Sequence, residues 1–289
     1  MRIDLHTHSR VSDGTQAPGE LVRAAAAAGL DVMALTDHDI TAGWDEAAEA
    51  AHAVGIALVP GIEISTRFRG SGVHLLAYLP DRANPALVDE LERILEGRDD
   101  RVPAMLARLR ALGIDGATEV ALAEVTVNAG ATGRPHVADL LVRLGVVADR
   151  DQAFEEYLSQ GRPAYVDRYA ADLVRMIGVV TAAGGVPVVA HPWGRGSADV
   201  LDTAAFAVLA EAGLFGIEVD HLDHDRGQRE QLRAIAARLG LVVTGASDHH
   251  GTGKVDHDLG VETTAPDQLD RILARAAELK SPTKMVGAA

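Results

Sequence analysis

The sequence predicts an α/β protein, a closed or nearly closed parallel β/α barrel interrupted by a helical insert. Three observations carry that reading. Seven short apolar runs can be counted, most of them separated by stretches of helical period. Nearly every run ends on, or contains, a His, Asp or Glu, and the ends of strands are where such barrels carry their chemistry. A stretch of roughly a hundred residues without a convincing strand breaks the rhythm once, far longer than a β-α-β crossover needs.

Taken in order, the first run, Arg2-Ile3-Asp4-Leu5, passes into His6-Thr7-His8-Ser9 and a polar turn through Ser12-Asp13-Gly14. A strand alternates its side chains with period two, so His6 and His8 point the same way. Two such imidazoles can hold one divalent cation at about 2.0–2.2 Å, although His-x-His also decorates ordinary solvent faces. Leu21, Val22, Ala25 and Ala28 then recur at helical spacing up to Gly29. Asp31-Val32-Met33-Ala34-Leu35 is a short strand that breaks into Thr36-Asp37-His38-Asp39, and a helix carrying Trp44, Ala47, Ala48 and Ala51 follows. Ile56 to Ile62 leads into Glu63, and Gly72-Val73-His74-Leu75-Leu76-Ala77-Tyr78 is a further strand. Beyond it the apolar positions keep helical period, and residues 98–166 read as an inserted helical subdomain between barrel segments 1–97 and 167–289. The barrel resumes with a helix around Ala171–Ala183. Three strands follow, ending in Ala190-His191-Pro192, in Asp220-His221 and in Ser247-Asp248-His249-His250.

Composition narrows the function. A net charge of −15 argues against a protein that grips long nucleic acid through a basic surface, while small phosphorylated substrates or chain ends remain compatible if metal ions supply local positive charge. With no cysteine, disulfides, thiolate nucleophiles and zinc ribbons are excluded, and any metal must be held by nitrogen and oxygen. The N-terminus shows no secretory signal and no apolar run approaches the roughly 20 residues of a membrane span, so a cytoplasmic location is the expectation. No membrane contact and no obligate protein partner is evident.

His6, His8, His38, Glu63, His191, Asp248 and His250 all fall where a predicted strand gives way to a loop. Taken singly, each could be a helix or turn cap. Together the blocks Asp4-Leu5-His6-Thr7-His8-Ser9, Ser12-Asp13-Gly14, Ala34-Leu35-Thr36-Asp37-His38, Pro60-Gly61-Ile62-Glu63, Ala190-His191-Pro192 and Gly245-Ala246-Ser247-Asp248 resemble the PHP (polymerase and histidinol phosphatase) family. The resemblance implies a distorted (β/α)7 barrel whose strand ends bind up to three metals for phosphoester hydrolysis. It implies one metal on His6, His8, Glu63 and Asp248, a second on Glu63, His74 and His191, and a third on Asp13, His38 and His250. Some members have His where this chain has Asp13, which bears on the third metal. Within the family the chain looks most like the phosphatases of 3′,5′-nucleoside bisphosphates or AMP and their relatives that trim RNA from its 5′ end, and less like histidinol phosphatases.

Six His and three carboxylates suit Mn²⁺, Fe²⁺ or Zn²⁺ better than Ca²⁺ or Mg²⁺. Two or three such ions would ionise a bridging water for in-line attack on a phosphomonoester. Thr132-Gly133-Arg134-Pro135-His136 reads as a loop entering a helix, so Arg134 could fork onto phosphate or pair with a carboxylate, and His136 could lie in the cleft or on the insert's surface. Arg195 and Lys254 are further phosphate candidates. Asp37 could orient His38 or cap a helix. Asp220, His221, Asp223 and His224 could lie near substrate or in a solvated loop. His52 and His257 read as structural or surface residues, and Trp44 and Trp193 as packing, with base stacking open to Trp193. The rival readings are a metal or nucleotide sensor that has lost ligands, though none is missing, and a 5′–3′ exonuclease on RNA or DNA ends that would share this site beneath a wider cleft.

Overall fold

A computed structural model of the chain describes residues 1–126, 132–194 and 197–287. Strand β1 (Ile3–Asp4) is followed by α1 (Pro18–Ala27), β2 (Val32–Leu35), α2 (Trp44–Val54), β3 (Ala57–Phe68) and β4 (Ser71–Tyr78). Next come α3 (Pro85–Ala111), α4 (Glu119–Ala123), α5 (Arg134–Arg143) and α6 (Arg150–Ala153), which widens into a π-helical turn, Phe154–Leu158. The remaining elements are β5 (Ala171–Asp172), α7 (Leu173–Ala182), β6 (Val186–Val189), α8 (Thr203–Glu211), β7 (Gly216–Asp220), α9 (Arg226–Leu239), β8 (Val242–Gly245) and α10 (Pro266–Glu278).

Seven strands run side by side in the order β1-β2-β3-β4-β6-β7-β8, and the short β5 adds to the far end of β3. The seam between the first and last strands is spanned by His8 N–H donating to His249 O (2.8 Å) and Thr264 N–H to Ile3 O (2.9 Å), giving a nearly closed barrel. Apolar side chains fill both faces of the strands. Inside, Ile3, Leu5, Ala34, Val59, Leu76, Tyr78 and Val188 pack together, and Leu269, Ile272 and Ala276 of α10 join the same cluster. Outside, Met33, Leu58, Ile62, Leu75 and Ile217 pack against α1, α2, α7, α8 and α9. Burial on both faces is why these strands read as continuous apolar runs. A third, separate core gathers Met105, Leu106 and Leu109 of α3, Val137, Leu140 and Leu141 of α5, and Leu158 of the π-helical turn. No helix among the described residues is long and apolar enough to cross a membrane.

The expectation of an all-parallel sheet is corrected. Strand β4 runs antiparallel to both β3 and β6. Its cause is a two-residue turn: Phe68 pairs with Ser71, and between them Arg69 (φ 47°) and Gly70 (φ 85°) both occupy the left-handed region, as a tight hairpin demands. Two residues cannot make a crossover, so β4 must return alongside β3. Two smaller expectations change as well. Glu63 lies in the middle of β3 rather than at its end, because β3 pairs with β2 through Pro60 and then continues to pair with β4. Ala171 and Asp172 form β5, so the helix begins at Leu173.

Candidate metal centre

His6 and His8 leave β1 in extended form, with Thr7 paired alongside His249, and their Nε2 atoms stand 3.0 Å apart. The turn after them doubles back tightly: Gly14 N–H donates to Ser9 O, and a Cβ on Gly14 would lie only 2.3 Å from His8 O. Asp37 holds this turn, accepting from Ser9 N–H (2.8 Å), Ser9 Oγ (2.7 Å) and Ser12 Oγ (2.6 Å). Its role is therefore to position the loop that carries Asp13, and no hydrogen bond from it to the His38 ring is recorded among the described residues. On the hairpin, Glu63 faces Leu76 and Ser65 faces His74, so Glu63 and His74 share the inward face diagonally.

Glu63 is the hub. Its Oε1 lies 2.7 Å from His74 Nδ1 and 3.0 Å from His191 Nε2, while Oε2 lies 3.1 Å from His8 Nε2, 3.1 Å from His38 Nδ1 and 3.2 Å from His6 Nε2. Asp248 Oδ1 completes one group, 3.4 Å from His6 Nε2 and 3.3 Å from His8 Nε2. A second group surrounds Asp13, whose carboxylate lies 3.3 Å from His250 Nε2 and 3.7 Å from both His38 Nε2 and His8 Nδ1. All nine expected ligands thus converge in one place, and all except the half-buried His74 are buried. His8 belongs to both groups, and His38 belongs to the Asp13 group and to a further one with Glu63 and His74.

Donor atoms held about 2.1 Å from one ion stand roughly 3.0–3.4 Å from each other, the spacing found here between His6, His8, Glu63 and Asp248. His38 Nδ1 is buried and makes no hydrogen bond among the described residues. The electrostatics point the same way. Burial alone would push Asp13, Glu63 and Asp248 upward, yet His38 and His250 around Asp13, His38 and His74 around Glu63, and Lys254 and His6 around Asp248 hold all three well below the carboxylate range. In His8 burial disfavours the charged ring, but Asp248 and Glu63 raise it to about 9. Three buried carboxylates set among imidazoles, with Lys254 beside Asp248 alone, call for positive charge, and buried nitrogen and oxygen donors so arranged fit divalent transition metals.

Backbone conformation supports the site too. Asp39 (φ 59°), His191 (φ 25°) and Asp248 (φ 51°) all adopt left-handed conformations without being glycine, and such strain persists where surrounding structure holds it in place.

Some site residues escaped the sequence reading. Glu218, fully buried in β7, accepts from His6 Nδ1–H through Oε1 (3.0 Å) and from His191 N–H through Oε2 (2.8 Å). A lone carboxylate in the run Gly216-Ile217-Glu218-Val219 was the available signal. Asp39 accepts from Ser65 N–H (2.6 Å) and from Arg98 (2.7 Å), which ties β3 to α3. His257 is buried, with Nδ1 2.5 Å from Ser247 O, and it joins His221 and Asp248 in a fourth cluster rather than occupying a surface loop.

The other expected contacts are distributed as follows. Lys254 Nζ donates to Asp248 Oδ2 at 2.6 Å. His136 is buried, its Nδ1 accepting from Gly133 N–H at the start of α5. Arg134 stacks over the rings of Phe154 and Tyr165. Arg195 lies outside the described residues. Asp220 pairs with Arg233 at the surface, whereas His221 and His224 are buried. Trp44 packs in the core and donates to Gly61 O, Trp193 packs at its edge and donates to Leu201 O, and His52 is exposed.

Comparison with known proteins agrees with this geometry. The family model described as PHP domain matches residues 4–128. A 3′,5′-nucleoside bisphosphate phosphatase of Chromobacterium violaceum is 38% identical over 258 residues, covering 89% of this chain and 90% of its own. A 5′-3′ exoribonuclease of Haemophilus influenzae is 36% identical over 253 residues, covering 86% and 90%. The crystal structure of a protein from Bifidobacterium adolescentis, described as a metal-dependent phosphoesterase, superposes with a TM-score of 0.89 at 36% identity, covering 94% of this chain and 96% of that one. The chain therefore belongs to the PHP family of metal-dependent phosphoesterases.

Proposed function

We propose that this protein removes a phosphate monoester from a small nucleotide, a 3′,5′-nucleoside bisphosphate such as pAp, or AMP. Two or three divalent ions (Mn²⁺, Fe²⁺ or Zn²⁺) would be held by His6, His8, Asp13, His38, Glu63, His74, His191, Asp248 and His250. The observation that carries the reading is Glu63, whose two oxygens face separate imidazoles, so that this one carboxylate would help to hold more than one ion. Such ions supply charge neutralisation at the phosphate and an ionised water near neutral pH.

The chain's own residues prepare the site. His6 Nδ1–H can only donate to the Glu218 carboxylate, which leaves Nε2 bare and turned toward Glu63 and Asp248. His250 Nδ1–H donates likewise to Asp248 O (2.8 Å), leaving its Nε2 for the Asp13 side. Residues 98–166 read as a cap that shields the reaction from water. Arg150 from this insert donates to Asp13 O (3.1 Å) while forked onto Asp139. Lys254 reads as a phosphate contact, since its Nζ already lies beside a candidate ligand.

The similarity to a bisphosphate phosphatase supports the mononucleotide reading. The exoribonuclease relative keeps short RNA ends in view, where the bond cleaved would be a phosphodiester rather than a terminal monoester. Purified protein with Mn²⁺ is expected to release inorganic phosphate from pAp or AMP in preference to histidinol phosphate or short 5′-phosphorylated RNA, and His38→Ala is expected to abolish that release. Undiminished turnover in the His38→Ala protein would end the proposal.

A further inference from the structure

One guanidinium of the insert reaches the loops of the metal centre. Arg150, the first residue of α6, has a side chain only 14% exposed. Its Nε and Nη2 fork onto the two oxygens of Asp139 on α5, at 2.6 and 2.7 Å, which fixes the plane of the group. The remaining nitrogen, Nη1, donates to Asp13 O (3.1 Å). The guanidinium also lies against Gly253. A Cβ there would stand 2.4 Å from Nη1 and 2.8 Å from Cζ, so any side chain at this position would displace the group.

Arg150 thereby spans two loops, one carrying Asp13 and the other His250. The loops are stitched together by Thr15 N–H donating to His250 O (3.1 Å) and Thr252 N–H to Thr15 Oγ1 (3.0 Å), while Gly253 N–H turns back to His250 O (3.3 Å). Beside this stitch Asp13 Oδ1 and His250 Nε2 face each other at 3.3 Å. Both are candidate ligands of one ion, the third, and neither lies in a regular strand or helix, so their relative position depends on such contacts. The sign of the charge is informative. A positive group beside a cation position weakens it by repulsion, and the fork onto Asp139 reduces that repulsion without reversing it. Any help that Arg150 gives the third ion is therefore geometric.

We propose that Arg150, held by Asp139, is a positioning residue for the ion at Asp13, His38 and His250: it locks the Asp13 loop against the His250 loop and so ties occupancy of that position to docking of the insert. The inference rests on the metal-centre reading above and deepens it. Coupling of this kind is reciprocal, so an ion that the docked insert tightens must in turn tighten the insert. The pair α5 and α6 then does more than cover the cleft, because it helps to set how many ions the centre holds.

Two measurements on the full chain decide it. In the first, Mn²⁺ binding is followed by calorimetry in wild type, R150M, R150K and G253A, with D13N marking the step of the titration that belongs to the third position. That step is expected to weaken by about 10- to 100-fold in R150M while the other steps stay within about twofold, with R150K intermediate because it keeps the charge and loses the fork. G253A should weaken the same step although every charge is kept, because its methyl group displaces the guanidinium. Unchanged or tighter binding at that step in R150M overturns the proposal, since tighter binding is what removing a bare positive charge would give. A wild type in which D13N alters no step has no ion there and overturns it as well. In the second measurement, hydrogen exchange is followed by mass spectrometry with EDTA and with Mn²⁺. The segments holding Thr15 and Gly253 are expected to exchange faster in R150M than in wild type under both conditions, and equal rates overturn the clamp. A wild type that binds no Mn²⁺ would sink the metal-centre reading, and the exchange measured in EDTA would still judge whether Arg150 locks the two loops.

Discussion

Glu218, buried in β7 among apolar neighbours, offers the sharpest test of the centre. Glu218 presents one oxygen to His6 Nδ1–H (3.0 Å) and the other to His191 N–H (2.8 Å), and it is completely buried. Glu218→Gln keeps shape and volume but has one acceptor where two are needed. If the Gln carbonyl faces His6, its NH2 meets the His191 amide donor. If the NH2 faces His6, the ring must move its proton to Nε2, the nitrogen turned toward Glu63 and Asp248. Either way one charge-assisted hydrogen bond is lost and one clash or wrong tautomer appears, at a cost of about 2–3 kcal/mol. Apparent Mn²⁺ affinity should drop by about 10- to 100-fold, with turnover largely recovered at saturating metal. Metal titration of activity together with calorimetric binding measures both. The reasoning is refuted if Glu218→Gln binds Mn²⁺ within about twofold of wild type. The pH dependence carries a sign as well. Burial pushes the Glu218 carboxyl up, but the charge and hydrogen bond of His6 outweigh it and hold it at about 2. A depressed carboxylate contributes stability above its unfolded value near 4.5 and loses it as pH falls toward about 2, so the stability gap between wild type and Glu218→Gln should shrink across that window.

Further outcomes are expected. Arg98→Met leaves the buried Asp39 carboxylate without its partner and should destabilise by about 3–5 kcal/mol in urea, whereas Arg98→Met combined with Asp39→Asn should recover most of it; a fully additive double variant would contradict the pairing. Chelation should lower the melting temperature, because ions that bind only the folded state stabilise it by about 2.7 kcal/mol at a hundredfold excess over Kd, and a midpoint indifferent to EDTA would count against metals at this site. Ile272→Ala on α10 should cost about 2–5 kcal/mol by chemical denaturation, and a loss below about 1 kcal/mol would show that this helix does not seal the barrel interior.

What could be read along the chain was local. The period-two geometry of a strand placed His6 and His8 on one side, and their Nε2 atoms do meet. Apolar runs buried on both faces announced the barrel, and the ligands lying where those runs break announced a single cleft, since strand ends meet at one rim. The hairpin was also present in Phe68-Arg69-Gly70-Ser71, but a parallel template hid it; two residues cannot carry a chain across a sheet.

Pairing in three dimensions decided the rest. Glu218 looks like one more strand residue until His6, 212 positions earlier, is seen to need it. Asp37 and Asp39 are near twins in sequence, yet one clasps the Ser9–Ser12 turn and the other anchors Arg98 of α3. His257 reads as loop polarity until folding sets it beside His221 and Asp248. The arginines of α3, α5 and α6 carry no mark that distinguishes them from surface charges. Whether a guanidinium meets a carboxylate, an aromatic ring or nothing depends on which distant segment arrives beside it, because a charge acts through space over a few ångströms and has no period along the chain.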